Sequence, residues 1–204
     1  MDWTIFHLVN EHLAGHPALT EEMADFTVWS VPVLAIATCC LWLLDRPGNR
    51  PRGKMMTASA LTAAGLALAV NQVIGHIVVR ERPTVAHPAA HLFFVPSSAD
   101  PSFPSDHAGA AFAIAFAVLF LSRRIGWGFI VMAAAIAVDR VMVGLHYPGD
   151  VVGGLLVGLF SAWIVMRFGR RPLERIVGWV SAVTDPVMRP AWNVLSRRGR
   201  TRTV

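Results

Sequence analysis

The sequence predicts an all-α fold: a polytopic membrane helical bundle of about five spans, preceded by a short interfacial helix. Three observations carry this. Of the 204 residues, 54% are hydrophobic and only 15% are charged, against about 25% charged in an average soluble domain. Mean hydropathy is +0.51. The charges lie between apolar runs, two of which, 26–44 and 55–79, reach the roughly 20 residues a helix needs to cross a bilayer. The net charge of +5 does not indicate a nucleic-acid partner, because the basic residues sit beside apolar runs, where they act as topology signals. Cys39 and Cys40 are adjacent inside such a run and read as small packing residues.

The elements follow in order. Residues 3–13 place Ile5, Phe6, Val9 and Leu13 on one helical face and stop at Gly15-His16-Pro17. The segment is too short and too polar to span, so it is expected to lie on the bilayer surface. His7, His12 and His16 have no acid or cysteine at ligand spacing and read as surface histidines. Residues 26–44 form a first uncharged run, and a loop with Arg46, Arg50, Arg52 and Lys54 follows. Residues 55–79 are a second run, with Asn71, Gln72 and His76 near one end. Residues 80–107 make a polar connection with five prolines, longer than ordinary interhelical loops and so a functional candidate. Residues 108–121, 125–138 and 151–166 supply three shorter spans, the last rich in glycine, which permits close helix approach. The tail is basic, and residues 173–195 are mildly amphipathic. This gives an outer segment over 1–25, a membrane domain over 26–168 and a basic cytoplasmic tail over 169–204.

Five spans alternate sides. Loop 45–54, loop 122–124 and the tail then share one side, which holds fifteen of the eighteen lysines and arginines. The positive-inside rule makes that side cytoplasmic. The other side holds only Arg80, Arg82 and Arg140.

Those three arginines belong to polar islands that abut the spans: Arg80-Glu81-Arg82-Pro83, Pro104-Ser105-Asp106-His107, and Asp139-Arg140 through His146 to Asp150. Each alone has an ordinary reading, as a loop arginine, a helix cap or an interfacial hydrogen-bonded pair. Together at corresponding span ends they suit a phosphoryl group, whose spread negative charge calls for guanidinium forks and backbone amides. Arg82 and Arg140 are the fork candidates. Ser105 stands where an N-cap belongs, and the first turn after it offers free amides to an anion. Asp106, within this island, is counted with Arg82, Ser105 and Arg140 among the phosphate-binding candidates, and Asn71 and Glu81 are further candidates. No glycine-rich P-loop is present, which argues against nucleotide triphosphate chemistry. Hydrolysis also needs a nucleophile and an acid, and His107 and His146 are the two histidines beside the islands. Asp150, four residues after His146, is placed to orient its imidazole. Gly144 and Pro148-Gly149 allow the chain to turn between Arg140 and His146.

These residues resemble the type 2 phosphatidic acid phosphatase superfamily, whose pattern runs Lys-x6-Arg-Pro, Pro-Ser-Gly-His, Ser-Arg-x5-His-x3-Asp. Arg82-Pro83, Pro104, Ser105, His107, Arg140, His146 and Asp150 match it over roughly residues 55–166. The lysine position is Gly75, the second-motif glycine is Asp106 and the third-motif serine is Asp139. With Asn71-Gln72-Val73-Ile74 and Ser102-Phe103-Pro104-Ser105-Asp106-His107, the chain is similar to the bacitracin-resistance-type undecaprenyl diphosphatases. The resemblance implies that His146 attacks and becomes a phosphohistidine, Asp150 orients it and His107 protonates the leaving group. It implies that Arg82, Ser105 and Arg140 bind phosphate, with no metal or other cofactor. The substrate it implies is a polyprenyl diphosphate or another phospholipid in the bilayer, handled on the outer face. Phosphatidylglycerophosphate or phosphatidic acid is the alternative substrate, and a non-catalytic lipid-binding or lipid-translocating protein the alternative of another class.

Overall fold

The computed structural model describes residues 2–48, 51–93 and 100–200, leaving aside the side chains of 191 and 194–200. Arg50 and Arg202 of the charge count, and residues 94–99 of the long connection, lie outside the described residues. The chain forms helices α1 (Asp2–Ala14), α2 (Pro17–Leu43), α3 (Arg52–Ile77), α4 (Pro83–Ala86), α5 (Asp106–Leu121), α6 (Arg123–Met142), α7 (Pro148–Ile164) and α8 (Arg170–Arg200), with a π-helical turn at Val165–Gly169 joining the last two. Among the described residues there is no strand, and four helices are long and apolar enough to cross a membrane. The fold is an all-α polytopic membrane bundle.

The organising helix is the shortest apolar one. α5 has 16 residues, about 24 Å at 1.5 Å per residue, and buries nearly all of its length, from Ala108 to Val118. A helix apolar on every side belongs inside a bundle, and α5 is ringed by α3, α6 and α7. Small residues make the fit. Ala60, Ala63 and Ala67 of α3, Ala111 and Ala115 of α5, and Ala133 of α6 are buried together. A Cβ on Gly154 of α7 would come within 2.7 Å of the Ser105 carbonyl oxygen, and one on Gly158 within 2.7 Å of the Gly109 carbonyl oxygen. Only glycine lets α7 lie this close to α5.

Two expectations change. Residues 17–25 are not separate from the first span: they open α2, where Pro17 suits the first helical turn and Thr20 donates back to the Leu13 carbonyl. Nor does α1 rest on the bilayer alone. Phe6, Asn10 and Leu13 are completely buried against α6, α7 and the loops they carry. Periodicity found that apolar face, but not the protein surface it covers. α6 also continues through Met142, so Asp139 and Arg140 project from its last turns.

Candidate active site

The three islands converge at one end of the bundle, where α3 and α6 end and α5 and α7 begin. Each is placed by local structure. Ser105 is the N-cap of α5, with an extended backbone and its hydroxyl oxygen accepting from the Ala108 amide at 3.5 Å. Between α6 and α7 the chain reverses at Gly144, whose φ of +91° favours glycine. The Arg140 carbonyl accepts from the Leu145 and His146 amides, both at 3.1 Å, which folds the histidine back over the arginine.

His146 is 4% exposed. Its Nδ1 lies 2.8 Å from the Ser102 carbonyl oxygen. A carbonyl can only accept, so Nδ1 carries the proton and Nε2 keeps a lone pair. Asp150, expected to orient this ring, is 3.7 Å from Nδ1, too far for a hydrogen bond. Its carboxylate accepts instead from the Ser102 hydroxyl and, at 2.8 Å, from the Tyr147 amide. Asp150 therefore reaches His146 through Ser102, and its own carbonyl accepts from the Ser105 amide at 3.0 Å.

Arg140 is 3% exposed. Nη2 donates to the Thr27 carbonyl at 3.0 Å, and Asp139 lies 3.4 Å from Nε. Nε nevertheless has no hydrogen-bond partner among the described residues. The Asp139 carboxylate is taken up by the Thr27 hydroxyl, 2.9 Å from each of its oxygens. A buried guanidinium with unused donors is a receptor for an anion. Arg82 spends Nε on the Asp100 carbonyl and Nη1 on the Leu145 carbonyl, each at 3.2 Å, and keeps Nη2. His107, on the first turn of α5, lies within the electrostatic reach of Arg140, His146 and Arg82. It lines an apolar groove of about 230 Å³ with Val31, Leu34, Leu68 and Ile114.

The second-tier residues part ways. Asn71 is buried, and its amide bridges the Asp106 carboxylate at 2.9 Å and the Ser105 carbonyl at 3.3 Å. Gln72 donates to the other Asp106 oxygen at 3.4 Å. Asp106, expected among the phosphate ligands, instead ties α3 to α5, and its charge has the wrong sign for an anion. Gly75 lines a cavity of about 240 Å³ beside these residues. Glu81 is exposed and makes no hydrogen bond among the described residues. His87 stacks on Trp3 at 3.8 Å between centroids, and His91 meets Glu11 at 3.2 Å, so this pair docks α1.

Sequence reasoning missed Thr27 and Ser102 as site residues. Thr27 is one hydroxyl in an apolar run, and nothing in its spacing marks it. Ser102 opens Ser102-Phe103-Pro104-Ser105 and holds His146 through its main-chain carbonyl, which no residue type announces.

The chain's residues 57–173 match the PAP2 superfamily. The chain belongs to that superfamily. It is a membrane phosphatase of the PAP2 type. Undecaprenyl-diphosphatase BcrC of Bacillus subtilis is 33% identical over 169 residues, 82% of this chain and 84% of that protein. Lipid A 1-phosphatase of Rhizobium johnstonii is 44% identical over 98 residues, 45% of this chain and 39% of that protein. The crystal structure of Aquifex aeolicus LpxE superposes with a TM-score of 0.67 at 24% identity, covering 82% of this chain and 95% of that one.

Proposed function

We propose that this PAP2-type phosphatase removes the terminal phosphate of undecaprenyl diphosphate, giving the monophosphate and so recycling the wall carrier lipid, and that His146 is its nucleophile. The single observation that carries the mechanism is the Nδ1 hydrogen bond to the Ser102 carbonyl, which leaves Nε2 to attack phosphorus. The bond between the terminal phosphorus and the bridging oxygen breaks as the N–P bond forms, and undecaprenyl phosphate is the leaving group. His107 delivers a proton to that leaving oxygen, then takes one from the water that hydrolyses the phosphohistidine. Arg140, Arg82 and the first amides of α5, capped by Ser105, hold the equatorial oxygens as charge redistributes. Water supplies the only co-reactant.

The substrate reading is supported by the similarity to BcrC along four fifths of both chains and by the Asn71–Asp106 pairing at the α5 start. The Rhizobium relative is more identical over a shorter stretch, and that favours a second reading, a phosphate on a glycolipid. The positive-inside count supports an outward-facing site with the C-terminus in the cytoplasm.

The test is phosphate release by the purified chain in detergent with chelator present. Undecaprenyl diphosphate, phosphatidylglycerophosphate, phosphatidic acid and lipid A are compared by kcat/KM. The polyprenyl diphosphate is expected to lead, vanadate to inhibit, and His146→Ala to lose on the order of 10³-fold or more. Faster turnover of another lipid corrects the substrate, and undiminished turnover by His146→Ala ends the nucleophile assignment. Orientation is read by thiol labelling of cysteines placed at 84–90 after Cys39 and Cys40 are replaced. Labelling only from the cytoplasm would reverse it.

A further inference from the structure

The catalytic end contains one charged cluster that the mechanism above leaves unused. Arg80 donates Nη1 to Asp150 Oδ1 and Nη2 to Asp2 Oδ2, both at 2.7 Å. The other Asp2 oxygen accepts from the Gly149 amide at 2.8 Å, in the first turn of α7. The guanidinium lies over the Tyr147 ring, 4.0 Å from its centroid. We propose that Asp2 and Arg80 are positioning residues of the phosphatase site, and that α1 is a strap which holds the attacking histidine in register. The proposal rests on the reading of His146 as nucleophile.

Asp150 is fully buried, and a buried carboxylate stays ionised only when a counter-charge and hydrogen bonds replace water. The Ser102 hydroxyl, the Tyr147 amide and Arg80 give it hydrogen bonds, and among the described residues Arg80 is its permanently charged partner. An ionised Asp150 is purely an acceptor, so it fixes the Ser102 hydroxyl as donor and with it the loop whose carbonyl holds His146 Nδ1. Arg80 is in turn fixed by Asp2. Burial opposes the guanidinium's charge, but Asp2 and Asp150 together outweigh that and raise its pKa above the ordinary value.

The rest of α1 is built to deliver Asp2 to this point. Phe6 packs on Tyr147 with ring centroids 5.7 Å apart, and Trp3 stacks on His87. Asn10, completely buried, donates to the His91 and Met142 carbonyls at 2.9 and 3.0 Å and accepts from the His91 amide at 2.8 Å. One helix thus fastens both the loop after α4 and the turn between α6 and α7. A phosphate ligand would keep a fork open. In Arg80 both terminal nitrogens face carboxylates, which marks it as a holder of protein and not of substrate.

The experiment uses the purified full chain and whichever of undecaprenyl diphosphate or phosphatidic acid it hydrolyses faster. Arg80→Gln is expected to lower kcat by about 30- to 100-fold and Asp2→Asn by about tenfold, with KM within threefold, as for residues that orient a reacting group. The double variant should match Arg80→Gln within twofold, because the two act in series. Arg80→Lys and Asp2→Glu should recover part of the rate. Three results would overturn the proposal: kcat within twofold of the unaltered chain for both single variants, a KM rise above tenfold with kcat kept, or losses that multiply in the double variant. A fall in rate that only tracks a fall in folded fraction, measured by thermal unfolding, would overturn it as well. Asp2 is part-exposed, so Asp2→Asn leaves the core intact and keeps the test open if Arg80→Gln is unstable. His146→Ala is run alongside: activity in that variant sinks the nucleophile reading, whereas a dead His146→Ala beside unaffected Asp2 and Arg80 variants sinks the strap alone.

Discussion

Both ends of the bundle bury positive charge, and they use it in opposite ways. At the catalytic end Arg140 is 3% exposed, with the Thr27 carbonyl on Nη2, Asp139 3.4 Å from Nε and no hydrogen-bond partner for Nε among the described residues. At the other end Lys54, 2% exposed, is closed off. Its ammonium is paired with Asp185 of α8, donates to the Ser181 hydroxyl at 3.2 Å and sits 5.6 Å from the centroid of Trp42. Of the three donor directions of a lysine, two are spent on Asp185 and Ser181, and the Trp42 ring lies beside the ammonium. Buried charge is therefore not the mark of the site. Unspent donor capacity beside a ring nitrogen with a free lone pair is. Arg140 has Asp139 3.4 Å from Nε yet keeps donors unspent; Lys54 gives its donors to Asp185 and Ser181.

The largest effect that tests this contrast is on Arg140. Arg140→Lys keeps the charge but removes the planar fork, and the Thr27 carbonyl and the phosphate then compete for one ammonium. We expect kcat to fall by about 10²- to 10³-fold, the usual loss when a preorganised donor to developing charge is removed. The measurement is steady-state phosphate release with the folded fraction checked by thermal unfolding. A loss below fivefold would put Arg140 on the same footing as Lys54.

How much of this was legible in the sequence depends on the kind of contact. The spans, the convergence of Arg82, Ser105, Arg140, His146 and Asp150, and the amphipathic tail could be read because they rest on apolar length, spacing and residue type. The stripe Ile176, Trp179, Val180, Val183 and Val187 is exposed along α8 while Leu173 and Val177 are buried, as the periodicity implies. The Asp150–Ser102–His146 relay was not legible, since i and i+4 spacing proposes a direct contact and cannot show a main-chain carbonyl coming between. Nor was the docking of α1. Its apolar face fits a bilayer as well as it fits Tyr147, and only the fold decides between them. Asp106 misled for a related reason: its place in the motif suggested a phosphate, and its partners Asn71 and Gln72 come from a helix more than thirty residues earlier.

A smaller effect is expected where packing, not charge, sets the geometry. Gly154→Ala puts a methyl group 2.7 Å from the Ser105 carbonyl and 2.9 Å from the Gly109 amide nitrogen. The contacts are with backbone, so α5 and α7 must separate. The expected cost is about 1–3 kcal/mol of stability, as for other overpacked cores. Because the Ser105 cap moves with α5, activity should fall with it, by about tenfold. Thermal unfolding and phosphate release on the same sample give both numbers. Loss of stability with full activity would mean that the phosphate cradle does not depend on the α5–α7 spacing.

The smallest effect on activity is expected at the closed end. Lys54→Met removes the ammonium and leaves Asp185, whose side chain is 17% exposed and can recover water. Breaking a buried pair by one partner costs about 3–5 kcal/mol, and this partial access places Lys54→Met near the lower figure. Turnover should stay within twofold, because nothing at the catalytic end touches Lys54, Ser181 or Asp185. Replacing both members, as Lys54→Met with Asp185→Leu, removes the stranded carboxylate and should restore most of the lost stability, since a well-packed apolar pair often substitutes for a buried ion pair. The double cycle, read as midpoints of thermal unfolding in detergent, sharpens the comparison from its far side. A charge whose partners are all protein groups should be exchangeable for hydrocarbon without loss of function, and Arg140 should not. If Lys54→Met with Asp185→Leu instead lost turnover while keeping its stability, the closed end would be coupled to the site through α3, and the division between a charge that waits and a charge that is satisfied would fail.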